Sequence, residues 1–208
     1  MRYLLLPPTD KRKQFELRAL GLRDFAGVTA DQPLDPFALA AFARLLVVEF
    51  DSIEGLSAES RSHLLGDAAD EWSGGACSRP LPDGWKLVIL NPAHGKQRNR
   101  ATLMEEVAHV FLGHAPNRLA VVSSEQTGTH KRILTRDYNH DDEEAAYAVG
   151  AAALVPYAAL RRLVTMGRPA HEIARHFRVS RQLVEYRIKV THLWAAYKDA
   201  SKARAEHV

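Results

Sequence analysis

Along residues 101–114, ATLMEEVAHVFLGH, the apolar Leu103, Val107, Val110 and Phe111 recur at helical spacing and leave acids and histidines on the other positions. Residues 143–156, EEAAYAVGAAALVP, predict a second helix, acidic at its start, small through Gly150 to Ala153 and closed by Pro156. Upstream, Asp35-Pro36 is a helix start signal, and Leu39, Phe42, Leu45, Leu46 and Val48 predict one amphipathic helix from Phe37 to Phe50. Phe15–Ala26 reads as a short helix behind a loosely held arm, Met1–Lys13, with an extended piece at Tyr3–Leu6. Ser57 opens another short helix through Leu65, ended by Gly66.

Strand signals are fewer. Trp85–Leu90 is a continuous apolar run between Asp83-Gly84 and Asn91-Pro92, which predicts a strand well inside a sheet, whereas Trp72–Pro82 reads as loop or irregular strand. Leu119–Ser123 and Lys131–Tyr138 predict a hairpin around a polar turn at 125–130, placed to wall a cleft. Beyond the link Met166–Pro169, Ile173, Ala174 and Phe177 mark one helix and Leu183, Val184 and Ile188 the next. A tight turn at Arg178-Val179 and Ser180 as N-cap separate them, a pattern similar to a helix-turn-helix. Tyr197–Val208 reads as a charged, fraying tail. The fold class is α+β, mostly helical with a small sheet over 1–165, followed by a helix-turn-helix-like segment and tail over 166–208.

The 208 residues suffice for one sizeable core, and 46% apolar with 25% charged residues excludes disorder as the default. The net charge of +3 does not demand nucleic acid as a partner. Cys77 is the single cysteine, so neither an internal disulfide nor a cysteine-rich metal site is available, and a reducing compartment is expected. No apolar run reaches the roughly 20 residues of a membrane span. The N-terminal run is also too short for a signal-peptide core, so a cytoplasmic protein is expected.

Chemistry concentrates in Glu105-Glu106-x-x-His109. Residues four apart on a helix share one face, and His-Glu-x-x-His uses that spacing to grip zinc with two imidazoles while the intervening Glu activates water. Here Glu105 stands in the first ligand position, and a carboxylate can ligate zinc, leaving Glu106 in the place of the general base. The plain alternative is a helix with two solvated acids and a hydrogen-bonded His109.

The run around these residues resembles the ImmA/IrrE family of zinc-metallopeptidase-like proteins, whose motif helix reads T-L-x-H-E-x-x-H-x-x-L-G-H. Thr102, Leu103, Glu106, His109, Leu112, Gly113 and His114 match it. Residues 143–156 are similar to the family's downstream helix. The resemblance implies a zincin-like domain with Zn²⁺ held by Glu105, His109 and a downstream glutamate, Glu143 first and Glu144 as the fallback. Glu106 is then the catalytic base, and His114 a residue behind the ligands or at the substrate. It also places an arginine-bearing turn before the motif helix, so Arg98 or Arg100 is expected to contact the acidic helix. Two carboxylates and one imidazole leave the cation less positive than two imidazoles would, which predicts slow turnover or none.

The implied activity is cytoplasmic hydrolysis of a regulatory protein, such as a helix-turn-helix repressor or a toxin–antitoxin or phage regulator. The competing reading is a non-catalytic regulator that keeps the peptidase-like fold. If it binds DNA, Arg181, Gln182, Tyr186 and Lys189 would face the major groove, with Arg175, Arg178 and Arg187 near phosphates and Glu185 opposing them.

Overall fold

The computed structural model describes residues 5–76, 80–114, 119–124, 131–136 and 139–205. The start of the arm, Cys77, the helix stop at Ala115-Pro116, the hairpin turn at 125–130 and the last three residues lie outside the described residues.

The first helix, α1 (Asp10–Phe25), begins earlier than the apolar pattern predicts. Its opening turns are polar, with Asp10 in the first turn, and Lys11 and Arg12 reach across to Glu144. Distant charge, which leaves no local periodicity, holds this end. Next, α2 (Pro36–Phe42) starts where predicted, the Asp35 carboxylate accepting the Phe37 N–H at 3.3 Å.

The single helix predicted over Phe37–Phe50 is not what forms. The chain leaves α2 at Ala43, Arg44 turns left-handed (φ 53°), and Leu45–Val48 becomes strand β1. Consecutive Val47 and Val48 suit a pleated strand better than a helix, and a short apolar run carries no period that tells the two apart. The partner decides it.

After a 3₁₀ turn at Phe50–Ser52 and helix α3 (Ala58–Leu65), capped by Ser57 as expected, come β2 (Gly74–Ala76) and β3 (Lys86–Leu90). The sheet order is β1-β3-β2, with β1 parallel to β3 (Leu45 opposite Lys86, Val48 opposite Ile89) and β2 antiparallel. The predicted central strand is therefore central. At its end, buried Asn91 donates to the Ala69 and Trp72 carbonyls at 2.7 and 2.9 Å, pinning the loop that carries β2.

Helix α4 (Lys96–Leu112) crosses behind the sheet and buries Leu103, Met104, Val107 and Ala108. It starts at Lys96, so the arginine-bearing turn expected before it, with Arg98 and Arg100, is already helical, because Lys, Gln and Arg are good helix formers once a core face follows. Strands β4 (Leu119–Ser124) and β5 (Lys131–Arg136) pair antiparallel as predicted. Then α5 (His140–Leu154), almost wholly buried in its second half, runs against α4 and α1. Four shorter helices complete the chain: α6 (Tyr157–Thr165), α7 (Ala170–Phe177), α8 (Arg181–Val190) and α9 (Trp194–Ala205).

The tail expected to fray is α9 as far as Ala205. Trp194 and Tyr197 stack with centroids 5.7 Å apart, and the Tyr197 hydroxyl accepts the Ala170 N–H at 3.0 Å. Between α7 and α8 the tight turn is present, Arg178 taking the left-handed conformation (φ 57°) and Ser180 capping α8.

One buried apolar cluster runs from α1 and α2 through the sheet to α8. Where α5 breaks into α6, the free backbone groups are met by charge: Glu16 accepts the Tyr157 N–H at 2.6 Å and Arg187 donates to the Val155 carbonyl at 3.0 Å. The two side chains pair at 2.6 Å with 1% and 3% of their surface exposed. Arg187, expected near phosphates, is thus a core residue. Among the described residues no single helix is long and apolar enough to cross a membrane.

Candidate metal centre

The centre lies where α4 and α5 pack. A Cβ on Gly150 would sit 3.3 Å from the Met104 carbonyl oxygen and 3.4 Å from the Glu105 nitrogen. Only glycine therefore lets α5 approach the α4 backbone next to Glu105 without displacement. Gly150→Ala is expected to push the helices apart by a few tenths of an ångström and cost about 1–2 kcal/mol. Urea denaturation checks that loss, and a calorimetric titration with zinc checks for weakened binding at the centre.

At this crossing Glu105 and His109, one turn apart on α4, meet Glu143 from the first turn of α5. One ligand atom from each lies within 4.8 Å of the others, and all three residues are half-buried. His109 Nε2 is 3.4 Å from a Glu143 carboxylate oxygen. Two carboxylates and an imidazole are ligand types that divalent cations accept.

The electrostatics fit a cation too. Burial, then repulsion from the Glu143 and Glu106 carboxylates, pushes Glu105 up to about 7. Burial also lowers the His109 imidazole, against an opposing pull from Glu143, which favours the neutral ring that a ligand must be. A positive ion between the carboxylates would relieve the repulsion that burial sharpens.

Glu106 lies half-buried one step round α4, near enough for its charge to act on Glu105. Glu144, the fallback, faces the other way: its carboxylate takes Lys11 at 2.7 Å and Arg12 at 3.8 Å, so it ties α5 to α1 and stays out of the cluster. The expected arginine contact to the acidic helix is also absent from the described residues. Arg98 donates to Ser73 at 3.0 Å, while Arg100 pairs with Asp35 at 2.9 Å and donates to the Leu34 and Arg178 carbonyls. Arg100 instead braces the start of α2 and the α7–α8 turn.

His114 comes back over the end of α4, its ring centroid 5.1 Å from that of His109, with Nδ1 of one ring 3.1 Å from Nδ1 of the other. Two further residues join the site without having been singled out. Asp142 lies 3.6 Å from His114 Nε2. Tyr147, 38% exposed and one turn along from Glu143, has its phenol pushed up by burial, then by Tyr186 and Glu105, so it keeps its proton. Its position four after Glu143 was the available signal for Tyr147, whereas Asp142 looks in sequence like any first-turn acid.

On α8, Gln182 is exposed, Arg181 pairs with Glu185 at 2.7 Å, and Lys189 lies over the Trp194 ring at 5.3 Å. Tyr186 packs edge-on against Tyr147 with centroids 5.0 Å apart. One of the four residues proposed for a groove is thus turned towards the metal centre.

The sequence model of the family described as Peptidase_M78, IrrE N-terminal-like domain, matches residues 73–189, from β2 to the end of α8. No curated protein matches the chain significantly.

Proposed function

The chain belongs to the IrrE N-terminal-like peptidase family, and from that premise we propose that it is a metal-dependent peptidase in which Glu105, His109 and Glu143 hold a divalent cation. Zinc suits this mixed oxygen and nitrogen set. The observation that carries the reading is the convergence of those three side chains, from helices far apart in sequence, within 4.8 Å. A cation bound there supplies a Lewis acid for a peptide carbonyl. Glu106 takes the proton of the attacking water and delivers it to the leaving amine. Tyr147, protonated and partly exposed, is placed to donate to a substrate oxygen. The β4–β5 hairpin, between the two metal helices in sequence, walls the cleft.

Two carboxylate ligands reduce the charge left on the cation, so turnover is slow. The family resemblance points to a regulatory protein in the cytoplasm as substrate, such as a helix-turn-helix repressor or a toxin–antitoxin or phage regulator. One observation favours the competing reading of a non-catalytic regulator: a carboxylate, protonated up to about pH 7, occupies the first ligand position. In that reading α7 and α8 act as a helix-turn-helix, although the packing of Tyr186 and the burial of Arg187 leave a reduced DNA-facing surface.

Metal analysis of protein purified without chelator separates the two. One equivalent of zinc per chain is expected, lost in His109→Ala and retained in Glu106→Gln, with peptide hydrolysis falling about 10²–10⁴-fold in the latter. Wild-type protein that takes up no divalent metal even when it is supplied would leave only the non-catalytic reading.

A further inference from the structure

We infer that His114 and Asp142 are positioning residues for His109: the His114 ring hydrogen-bonds the His109 ring, and the Asp142 carboxylate, 3.6 Å behind it, orients His114, which fixes the tautomer of His109 with Nε2 towards the ligand cluster. The inference rests on the reading of Glu105, His109 and Glu143 as a metal site.

The arrangement begins with the way α4 ends. Gly113 adopts the left-handed conformation (φ 71°, ψ 25°), its N–H going to the Val110 carbonyl at 3.1 Å, and the His114 N–H returns to the His109 carbonyl at 3.0 Å. This closure reverses the chain and lays the His114 ring edge-on against the His109 ring, 74° between their planes. The Gly-His pair after the helix therefore has a geometric purpose: glycine permits the reversal and histidine uses it.

With Nε2 of His109 given to a cation, proton bookkeeping along these rings has one solution. His109 Nε2 faces the cluster, 3.4 Å from Glu143, and a ligand nitrogen must carry a lone pair. Neutral His109 accordingly holds its proton on Nδ1 and donates it to His114 Nδ1, 3.1 Å away. His114, accepting at Nδ1, holds its own proton on Nε2, which faces the Asp142 Oδ1 at 3.6 Å, an electrostatic contact beyond hydrogen-bond distance.

Asp142 is itself held. Its other oxygen accepts from Asn139 Nδ2 at 2.8 Å, and the Asn139 Oδ1 accepts the Asp141 and Asp142 N–H groups at 3.1 and 3.4 Å. The side chains of His114 and His109 are only 11% and 20% exposed, so water competes weakly for these bonds. The N-terminus of α5 thus supplies both a ligand, Glu143, and, next to it, the anchor for a ligand on α4. A carboxylate behind such a ligand makes the ligating nitrogen more basic and fixes the orientation of its ring.

The test uses the full chain. Zinc affinity, by competition with a chromogenic chelator, is expected to fall about 10–100-fold in His114→Ala and in Asp142→Asn. It should recover to within a few-fold of wild type in His114→Gln, whose carbonyl can accept the His109 proton, and that recovery also shows that the helix end folds. Long-range ¹H–¹⁵N NMR of the zinc-loaded protein at pH 8 is expected to show His109 protonated on Nδ1 and His114 on Nε2, with the His109 Nδ1 proton exchanging faster with water in His114→Ala. Loss of binding from disordered packing alone would leave the affinity of His114→Gln as low as that of His114→Ala. Zinc binding by wild type, His114→Ala and Asp142→Asn within twofold of one another, or His114 protonated on Nδ1 in the zinc-loaded protein, overturns the inference. Wild-type protein with no affinity for zinc defeats the metal reading, whereas zinc bound equally well by wild type and His114→Ala defeats this inference alone.

Discussion

Glu16→Ala is expected to destabilise the protein by about 3–5 kcal/mol, because it leaves the Arg187 guanidinium charged and unpaired in the core. Arg187 is 2% exposed and Glu16 is 1% exposed, and their 2.6 Å ion pair ties α1 to α8. The same substitution strips the Tyr157 N–H, at the start of α6, of its 2.6 Å acceptor. The two losses act at one place, the break between α5 and α6, where no helical partner is available for the backbone. Urea denaturation measures the effect. Glu16→Leu combined with Arg187→Met should recover a good part of the loss, since an apolar pair of similar volume removes the stranded charge and leaves only the backbone bonds unmet. If the single substitution cost less than about 1 kcal/mol, the pair would be solvated and the core assignment of both residues wrong.

Zinc affinity should rise by about 50-fold between pH 5 and pH 7 and level off above about pH 8, because Glu105 must lose its proton to become a ligand. The proton is retained up to about pH 7 by burial first and by the Glu143 and Glu106 carboxylates second. Titration calorimetry at pH 6 in two buffers of different ionisation enthalpy should register close to one proton released per metal bound.

The metal-free protein should show the converse trend. Glu105 has a folded value of about 7 against an ordinary 4.5, so the native state holds more protons than the unfolded chain in that interval. Its stabilising contribution is complete below about pH 4.5 and is lost as pH rises through 7, a change on the order of 2 kcal/mol. Glu105→Gln should flatten this part of the pH–stability curve, raise the metal-free stability above pH 7 and weaken zinc binding. A metal affinity that ignored pH between 5 and 7 would remove Glu105 from the ligand set.

Much of the centre was legible in the chain because it is built from helical spacings. Glu105 and His109 share a face of α4 by virtue of being four apart, and the acids at the start of α5 announce themselves as first-turn residues. Choosing Glu143 over Glu144 needed the family resemblance, and the structure separates them physically: Glu144 is drawn to Lys11 and Arg12. An apolar run between turn residues also located β3, Ser57 and Gly66 located α3, and two short strand runs located the β4–β5 hairpin.

What remained illegible shares a cause. The apolar run ending at Val48 satisfies both a helix and a strand, and only pairing with β3 makes it β1. Glu16 and Arg187 look like ordinary surface residues of amphipathic helices until α1 and α8 close over the α5–α6 break. Arg100 looks like a partner for acids on α5 and instead braces Asp35 and the Arg178 carbonyl. Asp142 becomes more than a helix-start acid once the left-handed Gly113 turns His114 towards it.

By itself, then, the amino-acid order determined what local geometry can specify: which residues share a helical face, where caps begin an element, and which side chains have metal-binding chemistry. The tertiary structure decided which charges meet, because an ion pair or a ligand triad joins residues that no local periodicity relates. Those meetings, Glu143 with His109, Asp142 with His114 and Glu16 with Arg187, form only when the packing of helices limits water and brings the two groups of each pair within reach.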